Sequence, residues 1–513
     1  MRKSTTILIL LFAYCMDILA YAFEKDNIYY TITSSANKEV EVTFKTSDVT
    51  TDTYVGVVTI PESVTYDNAT YKVTGIGRKA FYQEDKLEKV SLPSTIKTIG
   101  AGAFSGCDNL MEVSSRGSSG IETLQSSAFF GCPSLQSVPD FSNISNLPND
   151  VFYQCGKLEK VIFSSKLTAV DKYSFNECYS LKSAGDLSNI KSVGDYSFSG
   201  CKILEFNPTD FSQITSVGYG CFAGCTKLES IDLSNATIKL RNNESEAFSG
   251  CTSLKTVTFP KTATEIPASI FGVCDGLTAV HISNLESWCN IVFANGSGNP
   301  LDYAKHLYLN GEEITELTIP GNIKSIGDYQ FYNCVGMTSI IMHDSIKTIG
   351  EGAFSDCDGL TEINLPDSLT IIGEDAFSSC NNLRTISLPK NITSIGKGAF
   401  AWNYDIESVY SFAETPVACE ENIFTSSTYN DATLYIPHGT EVAYSQTSPW
   451  NKFKIKSIST SVENVVPDNQ TSDKVCIYTI DGKLFKKGFD FIKEAKGLPS
   501  NVYIINGKKV YVK

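Results

Sequence analysis

The stretch IKTIGEGAFSDCDGLTEINLP, residues 346–366, is followed at once by LTIIGEDAFSSCNNLRTISLP, residues 369–389. Aligned on Phe354 and Phe377, both follow one pattern, I/L-x-x-I-G-x-x-A-F-x-x-C-x-x-L-x-x-I-x-L-P. Phenylalanine recurs in this way thirteen times, with gaps of 23 to 26 residues and one gap of 60, at Phe81, Phe104, Phe129, Phe152, Phe175, Phe198, Phe222, Phe248, Phe271, Phe331, Phe354, Phe377 and Phe400. A fixed period in the twenties predicts a solenoid, in which each rung buries its apolar face against the next.

Within one repeat, the segment L-x-x-I-x-L has the period-two alternation of a short half-buried strand, as in Leu360, Ile363 and Leu365. Proline ends the strand, and the glycine of I-x-x-I-G marks a tight bend. The segment A-F-x-x-C-x-x-L places phenylalanine and cysteine on one side of a short helical turn. Each rung is therefore predicted to consist of a strand, a corner and a short helix.

Eleven of the 16 cysteines stand three residues after a repeat phenylalanine, at Cys107, Cys132, Cys155, Cys178, Cys201, Cys225, Cys251, Cys274, Cys334, Cys357 and Cys380. A residue with the same phase in every rung belongs to the buried seam, where cysteine serves as a small apolar side chain. If the segment is helical, rungs lie ~8–10 Å apart there, beyond the Cα separation of ~7 Å that a disulfide tolerates. We expect free thiols, and neither a metal site nor a cofactor, since there is no C-x-x-C pair and only four histidines are present.

The first and last units depart from this pattern, because Glu84 and Asn403 replace the cysteine. Terminal rungs have a neighbour on one side only. We interpret both substitutions as signs of a partly solvated seam.

The repeat resembles the BspA-like leucine-rich repeats, in which S-I-G-x-x-A-F-x-x-C-x-x-L-x-x-I-x-L-P recurs. This resemblance implies an α/β repeat solenoid, a right-handed leucine-rich repeat superhelix of short parallel strands and short helices. It also implies β-rich caps at both ends of the solenoid, and the hairpin signals described below predict a small all-β module after them. For function, it implies adhesion to host or microbial proteins, such as components of the extracellular matrix.

The chain's predicted organisation starts with an export signal, since two basic residues precede an apolar run and Ala20 and Ala22 offer a cleavage site. A membrane anchor competes with this interpretation, although Asp17 interrupts the run, and a lipoprotein attached through Cys15 is a minor alternative. The predicted segments are a signal peptide at 1–22, an N-terminal β cap at 23–72, the solenoid at 73–412 with an insertion-bearing rung at 285–322, a C-terminal cap at 413–462, and a linker with a small β tail module at 463–513.

The net charge of −15, from 42 Lys plus Arg against 57 Asp plus Glu, argues against nucleic acid as a partner. The last 41 residues differ, because they carry nine lysines against four acids. They contain two hairpin signals, Asp481-Gly482 and Asn506-Gly507, between apolar stretches. This tail is similar to the type IX secretion sorting domains of exported Bacteroidetes proteins, and a plain structural β cap is the alternative.

Motifs for catalysis are missing from the sequence, which has no H-E-x-x-H, no G-x-S-x-G and no phosphate-binding glycine loop. A catalytic pair of carboxylates follows no spacing rule, so the sequence does not address it. We expect a protein that is not an enzyme and that needs no cofactor.

The outward third and fifth positions of L-x-x-I-x-L carry mainly serine and threonine and form the predicted binding face. The insertion adds Trp288, Tyr303 and His306, which either contact a ligand or belong to a structural variant of the repeat in which Trp288 is buried. The candidate binding residues are Ser230, Asp232, Thr256, Thr258, His281, Trp288, Tyr303, His306, Thr318, Ser339 and Asn364.

The sequence thus favours an exported, non-enzymatic protein of the cell surface, the outer membrane or the extracellular space. Its expected partner is a protein, such as host extracellular matrix, mucin or the surface of another microbe. One alternative is a glycan-binding protein in which Trp288, Tyr303 and Trp402 stack on sugars. A structural surface-layer component is the other, and the oligomeric state is left open.

Overall fold

The computed structural model describes residues 21–45, 52–207, 210–238, 245–420 and 422–458, together with the backbone of four strands between 475 and 512. Residues 1–20 of the predicted signal peptide and the turn residues of both tail hairpins lie outside the described residues. Two compact units are formed, the first up to Ala263 with Pro267–Thr278, and the second from Thr264–Ile266 with everything from Ala279 on.

The first unit begins with strands that precede the repeats. Asp26–Asn27 and Asp67–Asn68 have positive φ, as the turns of two-residue hairpins require, and these turns join antiparallel pairs. The strands are β1 (Phe23–Lys25), β2 (Ile28–Ser34), β3 (Glu39–Thr43), β4 (Gly56–Thr59), β5 (Ser63–Tyr66) and β6 (Ala69–Ile76). Strands β3 and β6 pair in parallel, so the antiparallel hairpins lead into the parallel ladder of the repeats.

Most repeats of the first unit contribute a strand from L-x-x-I-x-L and a two-residue strand from the I-G corner, whereas the rungs that contain Leu181 and Leu204 form no named strand at the described residues of L-x-x-I-x-L. Strands of one kind pair in parallel with their counterparts in neighbouring rungs, as in β7 with β9 and β14 with β15. They are β7 (Leu87–Pro93), β8 (Thr98–Ile99), β9 (Glu112–Arg116), β10 (Thr123–Leu124), β11 (Ser137–Asp140), β12 (Asn146–Leu147), β13 (Lys160–Ile162), β14 (Ala169–Val170), β15 (Ser192–Val193), β16 (Ser216–Val217), β17 (Ser230–Asp232), β18 (Thr237–Ile238) and β19 (Thr256–Thr258).

The second unit repeats this arrangement and adds four short helices. Its strands up to β35 are β20 (Glu265–Ile266), β21 (Ala279–Ile282), β22 (Val292–Phe293), β23 (Leu307–Leu309), β24 (Glu312–Glu313), β25 (Glu316–Thr318), β26 (Ser325–Ile326), β27 (Ser339–Ile341), β28 (Thr348–Ile349), β29 (Glu362–Asn364), β30 (Ile371–Ile372), β31 (Thr385–Leu388), β32 (Ser394–Ile395), β33 (Ser408–Ser411), β34 (Thr433–Pro437) and β35 (Lys454–Ile458). The helices are α1 (Leu285–Cys289), α2 (Leu301–Ala304), α3 (Ser426–Asp431) and α4 (Glu441–Gln446), with 3₁₀ turns at Gly296–Gly298 and Trp450–Lys452.

Four further strands form the C-terminal tail sheet, which we define as β36 (Val475–Thr479), β37 (Leu484–Gly488), β38 (Asn501–Ile505) and β39 (Lys508–Val512). Their order is β37-β36-β38-β39, and every pairing is antiparallel. The expected parallel-strand solenoid with an all-β C-terminal module is confirmed.

The short helix that we predicted at A-F-x-x-C is wrong, because this segment is a run of turns. The residue two positions after each of the thirteen repeat phenylalanines has a positive φ, as at Gln83 (56°) and Val273 (59°). A left-handed residue interrupts an α-helix. The backbone hydrogen bonds instead join neighbouring rungs, as from Phe104 N to Ala128 O at 2.8 Å.

The repeat phenylalanines form a stacked ladder inside each unit. Neighbouring ring centroids lie 5.0–5.7 Å apart and the rings are within 20° of parallel. Phe424, which the sequence repeat did not include, extends the ladder beyond Phe400 at 5.3 Å. Each stacked pair adds about 0.5–1.5 kcal/mol to the effect of burial. The rung separation of ~8–10 Å that we inferred for this segment is therefore wrong.

The repeat cysteines are buried as predicted, and they are free thiols. Their role is not purely apolar, because in ten rungs the thiol donates a hydrogen bond to the carbonyl of the phenylalanine one rung earlier. In the second unit, for example, Cys357 Sγ lies 3.1 Å from Phe331 O. Burial raises the pKa of Cys274 and Cys334 to about 12. A thiol that donates this hydrogen bond is protonated, since a thiolate has no proton to donate.

Glu84 and Asn403 are not partly solvated, so our interpretation of the end rungs is wrong. Asn403 is fully buried, and its Nδ2 donates to Phe377 O at 2.8 Å, as the repeat thiols do in other rungs. Glu84 is 6% exposed, and its Oε2 accepts the backbone N–H groups of Thr53 and Tyr54 at 2.6 and 2.9 Å. Burial raises the pKa of Glu84. The substitutions match the hydrogen-bonding groups that face them.

Candidate interaction surface

The outward face of the L-x-x-I-x-L strands is built by strand alternation, since the isoleucine between the third and fifth positions points into the core. In the first unit, Ile231 is 4% exposed, whereas Ser230 and Asp232 on either side of it are exposed. Parallel pairing aligns these two residues with Thr256 and Thr258 on β19, which are half-buried. Four predicted binding residues therefore form two rows on one face, as the sequence indicated.

The second unit has the same kind of face. Thr318 and Asn364 are exposed, and Ser339 is half-buried. Pairing places Thr318 next to Ile341, an apolar side chain that is 49% exposed. Asn364 lies next to Ser387. This face is polar, with small side chains and isolated apolar positions.

Two predicted residues meet in a compact group on the insertion-bearing rung, which we call the histidine–tyrosine cluster and define as His281, His306, Tyr308 and Glu313. His281 on β21 pairs with Tyr308 on β23, and their ring centroids are 4.9 Å apart. Tyr308 pairs with Glu313 across the β23–β24 hairpin. His306 Nδ1 lies 2.6 Å from Glu313 Oε1, with both side chains partly exposed. Aromatic and ionisable groups thus share one patch beside the small polar residues of the strand face.

The hairpin that positions this cluster follows from Asn310-Gly311. The sequence predicted a tight turn there, and both residues adopt positive φ, 52° and 90°. That geometry is the one that two-residue hairpin turns favour. Leu317 and Ile319 then return to the buried positions of the repeat. The predicted hairpin is confirmed, and it holds Glu313 opposite Tyr308.

The insertion otherwise packs into the second unit. Trp288 is 1% exposed, its Nε1 donates to Gln330 O at 3.1 Å, and Gln330 Nε2 donates back to Trp288 O at 2.6 Å. Asn299 is fully buried and donates to Tyr329 O at 2.7 Å. Tyr303 lies half-buried on α2. The structural interpretation of Trp288 holds, and its ring has no exposed face for a ligand.

Trp402 and Tyr404 present the most exposed aromatic pair at the last repeat. They are 57% and 59% exposed, and their ring centroids lie 6.4 Å apart. Trp402 N donates to Thr425 Oγ1, which fixes the backbone below the ring. Of the three aromatic residues that we proposed for sugar stacking, Trp402 is exposed, Tyr303 is half-buried and Trp288 is buried.

The sequence missed several functional candidates, above all Tyr308 and Glu313 of the cluster. It also missed Tyr410 and Tyr435, whose rings stack at 4.7 Å on the outward face of β33 and β34. Tyr410 occupies the fifth position of its strand, so an aromatic residue at an outward position was the available signal. Pairing across strands, which brings these rings together, is not visible in a linear pattern.

The described part of the chain contains neither a candidate metal site nor a membrane-spanning helix. No three His, Cys, Asp or Glu side chains there are placed to hold a metal ion. Among the same residues, no helix has the length and apolar character needed to cross a membrane.

The family comparison agrees with this geometry. The model of the BspA type leucine-rich repeat region matches residues 74–205, 172–299 and 302–430, which is more than half of the chain. The chain belongs to the BspA-type leucine-rich repeat family. The matched ranges cover the insertion except residues 300 and 301, and they contain all four residues of the histidine–tyrosine cluster.

Several solved structures are similar to this BspA-type protein. A leucine-rich repeat protein from Bacteroides ovatus is 23% identical, with 85% of this chain and 100% of that chain covered and a TM-score of 0.46. A leucine-rich cell surface protein from Faecalibacterium prausnitzii is 20% identical, with 85% and 94% covered and a TM-score of 0.28. The T. pallidum leucine-rich repeat protein is 26% identical, with 40% and 90% covered and a TM-score of 0.33. The search of curated proteins found no match.

Proposed function

We propose that this BspA-type protein is exported to the cell surface and binds protein partners through the outward face of its parallel strands. The observation that carries the proposal is the alignment of short polar side chains in rows along the face. Small side chains allow a partner's backbone to approach closely, and parallel pairing repeats the same contact about every 4.8 Å. A repetitive face of this kind suits an extended or repetitive protein, such as matrix protein or mucin.

The histidine–tyrosine cluster supplies a partly exposed tyrosine among the rows of small polar side chains, whereas Tyr410, farther along the same face, is only 5% exposed. Interface energy concentrates in a few residues, among which tyrosine is enriched, and serine and threonine contribute little. Tyr308 is half-buried and supported by His281, so little side-chain entropy remains to be lost on binding. We therefore assign the main contact to Tyr308 and the surrounding alignment to the hydroxyl rows.

Localisation is part of the same proposal. The N-terminal segment would direct export, and the C-terminal tail sheet would act as a sorting domain of the type IX kind. The support is the sequence pattern of each segment and membership of a surface-type repeat family. In this proposal, the two terminal segments direct localisation, and the solenoid only binds the partner.

The test immobilises the mature chain and measures retention of matrix proteins and mucin from host secretions. The variant Tyr308→Ala should lower the affinity for the retained partner roughly tenfold or more, as expected for an interface hot spot. Tyr404→Ala, which removes an exposed tyrosine outside the strand face, is the matched control. Equal retention of the partner by both variants and the parent chain would contradict the assignment of the main contact to Tyr308. If the parent chain retains no matrix protein or mucin, the adhesion proposal fails.

Glycan binding is a second candidate, and the exposed Trp402–Tyr404 pair favours it. Aromatic faces open to solvent are platforms for sugar rings, and this pair offers two. A glycan array should lose its signal with Trp402→Ala and keep it with Tyr308→Ala. A blank array with the parent chain would eliminate this function without affecting the first.

A further inference from the structure

The outward face changes character at the C-terminal end of the second unit. There, Tyr410 and Phe412, Tyr435 on β34 and Ile458 on β35 replace the small polar residues seen on earlier strands. We call these four residues the C-terminal aromatic cluster. Tyr410 pairs with Tyr435, and Pro437 pairs with Ile458. The ring centroids of Tyr410 lie 4.7 Å from Tyr435 and 6.4 Å from Phe412, so the four side chains belong to one apolar patch.

The burial of this patch does not fit an open strand face. Tyr410 and Phe412 are only 5% and 6% exposed. By contrast, Ile341, at the same fifth position three rungs earlier, is 49% exposed although its side chain is smaller. Neighbours on the same sheet cover the edges of an outward ring and leave its face in water. A second layer must therefore lie over Tyr410 and Phe412.

The chain itself supplies a candidate for that layer. Ile458, the last residue of β35, is part of the cluster, and only residues 459–474 separate it from the C-terminal tail sheet. Sixteen residues can span at most about 3.3–3.6 Å each, so the length of chain between Ile458 and Val475 allows the sheet to reach the patch. A small antiparallel sheet also needs a second layer, because its apolar residues cannot be buried within a single layer.

Charge favours the same occupant. The tail carries nine lysines against four acids, whereas the whole chain has a net charge of −15. Close to the cluster, Glu407 is paired with Arg384 at 3.3 Å and Lys456 Nζ lies 6.0 Å from the centre of the Tyr435 ring, so the acidic character is that of the whole chain and not of the cluster. Attraction between a basic sheet and an acidic solenoid steers the two together and weakens with salt.

We propose that the C-terminal tail sheet docks in cis on the C-terminal aromatic cluster and covers Tyr410, Phe412, Tyr435 and Ile458. Docking stabilises both the small sheet and the end of the strand face. Release or proteolytic removal of the tail uncovers an aromatic patch on the same face that we assign to partner binding. The docking itself does not depend on the identity of that partner.

Hydrogen exchange on the full mature chain tests the docking. In Phe412→Ala, peptides that cover 475–479 and 501–512 should exchange roughly tenfold faster or more, while peptides that cover β25–β31 remain unchanged. Tyr404→Ala removes an exposed ring outside the cluster and should leave the tail at its parent rate. Equal tail exchange in the parent and both variants would overturn the proposal.

Cleavage provides a measurement that does not depend on a core variant. A protease site placed between residues 463 and 470 of the full chain allows the tail to be cut from the folded protein. At about 0.1 M salt, the tail fragment should co-elute with the solenoid in gel filtration and separate at high salt. Separate elution at low salt would contradict docking. A dimer whose tail exchange depends on protein concentration would show that a second copy's tail covers the patch, which overturns the cis arrangement.

Discussion

Removing one ring from the middle of the phenylalanine ladder should destabilise the second unit strongly. Phe354 is fully buried and stacks on Phe331 at 5.4 Å and on Phe377 at 5.3 Å. Replacing a buried phenylalanine with alanine costs about 3–5 kcal/mol, and each stacked pair adds about 0.5–1.5 kcal/mol beyond burial. Phe354→Ala loses two stacks, so we expect about 4–5 kcal/mol. Phe331→Ala loses one of the described stacks and should cost about 1 kcal/mol less.

Tryptophan fluorescence reports on this unit specifically. All three tryptophans of the chain lie in the second unit, and Trp288 and Trp450 are buried. Their emission should shift to longer wavelength as the unit unfolds in urea. With an m-value of about 3 kcal/mol per molar, a loss of about 4.5 kcal/mol lowers the midpoint by about 1.5 M. The far-UV signal of the first unit should change independently if the two units unfold separately.

Phe354→Leu is the matched control, because it keeps most of the apolar volume but removes the ring. Its cost should be closer to 1–2 kcal/mol, on the order of a volume-tolerant core change plus lost stacking. The reasoning fails if Phe354→Ala and Phe331→Ala lower the midpoint equally, or if either costs less than about 1 kcal/mol. Either result would mean that the ladder relaxes around the missing ring.

Three further predictions concern the seam. Asn403→Leu should cost about 1–3 kcal/mol by urea unfolding, because the buried Phe377 carbonyl loses a donor, whereas Asn403→Cys restores a donor and should be nearly neutral. A thiol reagent should modify the half-buried Cys419 before the buried repeat thiols, although burial raises the pKa of Cys419 to about 11. Mass spectrometry gives the order in which the cysteines are labelled. Labelling of Cys357 before Cys419 would contradict the prediction. Burial raises the folded pKa of Glu84, so its contribution to stability is complete below the ordinary value of 4.5 and declines as pH rises through the folded pKa. Glu84→Gln should abolish this decline in stability. Protection of residues 52–84 from hydrogen exchange, compared between pH 4 and pH 7, measures the decline in the parent chain and in the variant. The same difference between the two pH values in both proteins would disprove the prediction.

The solenoid was predictable because the same pattern of apolar residues recurs in many repeats. A strand alternation such as Leu360, Ile363 and Leu365 is weak in one rung, but repetition at one phase separates it from chance. The turn conformation was not predictable in the same way. Of its thirteen left-handed positions, five carry glycine and two carry asparagine or aspartate, which tolerate positive φ, but the other six carry residues such as Gln83 and Val273 that do not favour it. In those six rungs, the neighbouring rungs impose a conformation that local sequence does not encode.

The candidate surface was half predictable for a related reason. Period-two alternation gives the side of the strand on which Ser230 or Asn364 lies, because that depends only on the strand itself. Which residues meet across strands depends on register, and at the insertion register depends on how residues 285–306 fold. His281 therefore met Tyr308, a residue that no single-strand pattern connects with it. Trp288 was buried by the same fold.

Hydrogen-bond polarity along the seam explains both the repeat cysteines and their two replacements. In ten rungs the thiol donates toward the preceding rung, so such an interior rung needs a small buried donor, and a thiol meets this need with little loss on burial. The last repeat still has a carbonyl before it, Phe377 O, and Asn403 supplies the donor. No repeat phenylalanine carbonyl precedes the first repeat. The N–H groups of Thr53 and Tyr54 lie there instead, and Glu84 accepts their hydrogen bonds. A carboxylate in an interior rung would face a carbonyl oxygen, and a thiol at the first rung would face N–H donors. The residue three positions after the repeat phenylalanine therefore gives the seam a direction, and Glu84 at this position marks where the solenoid begins.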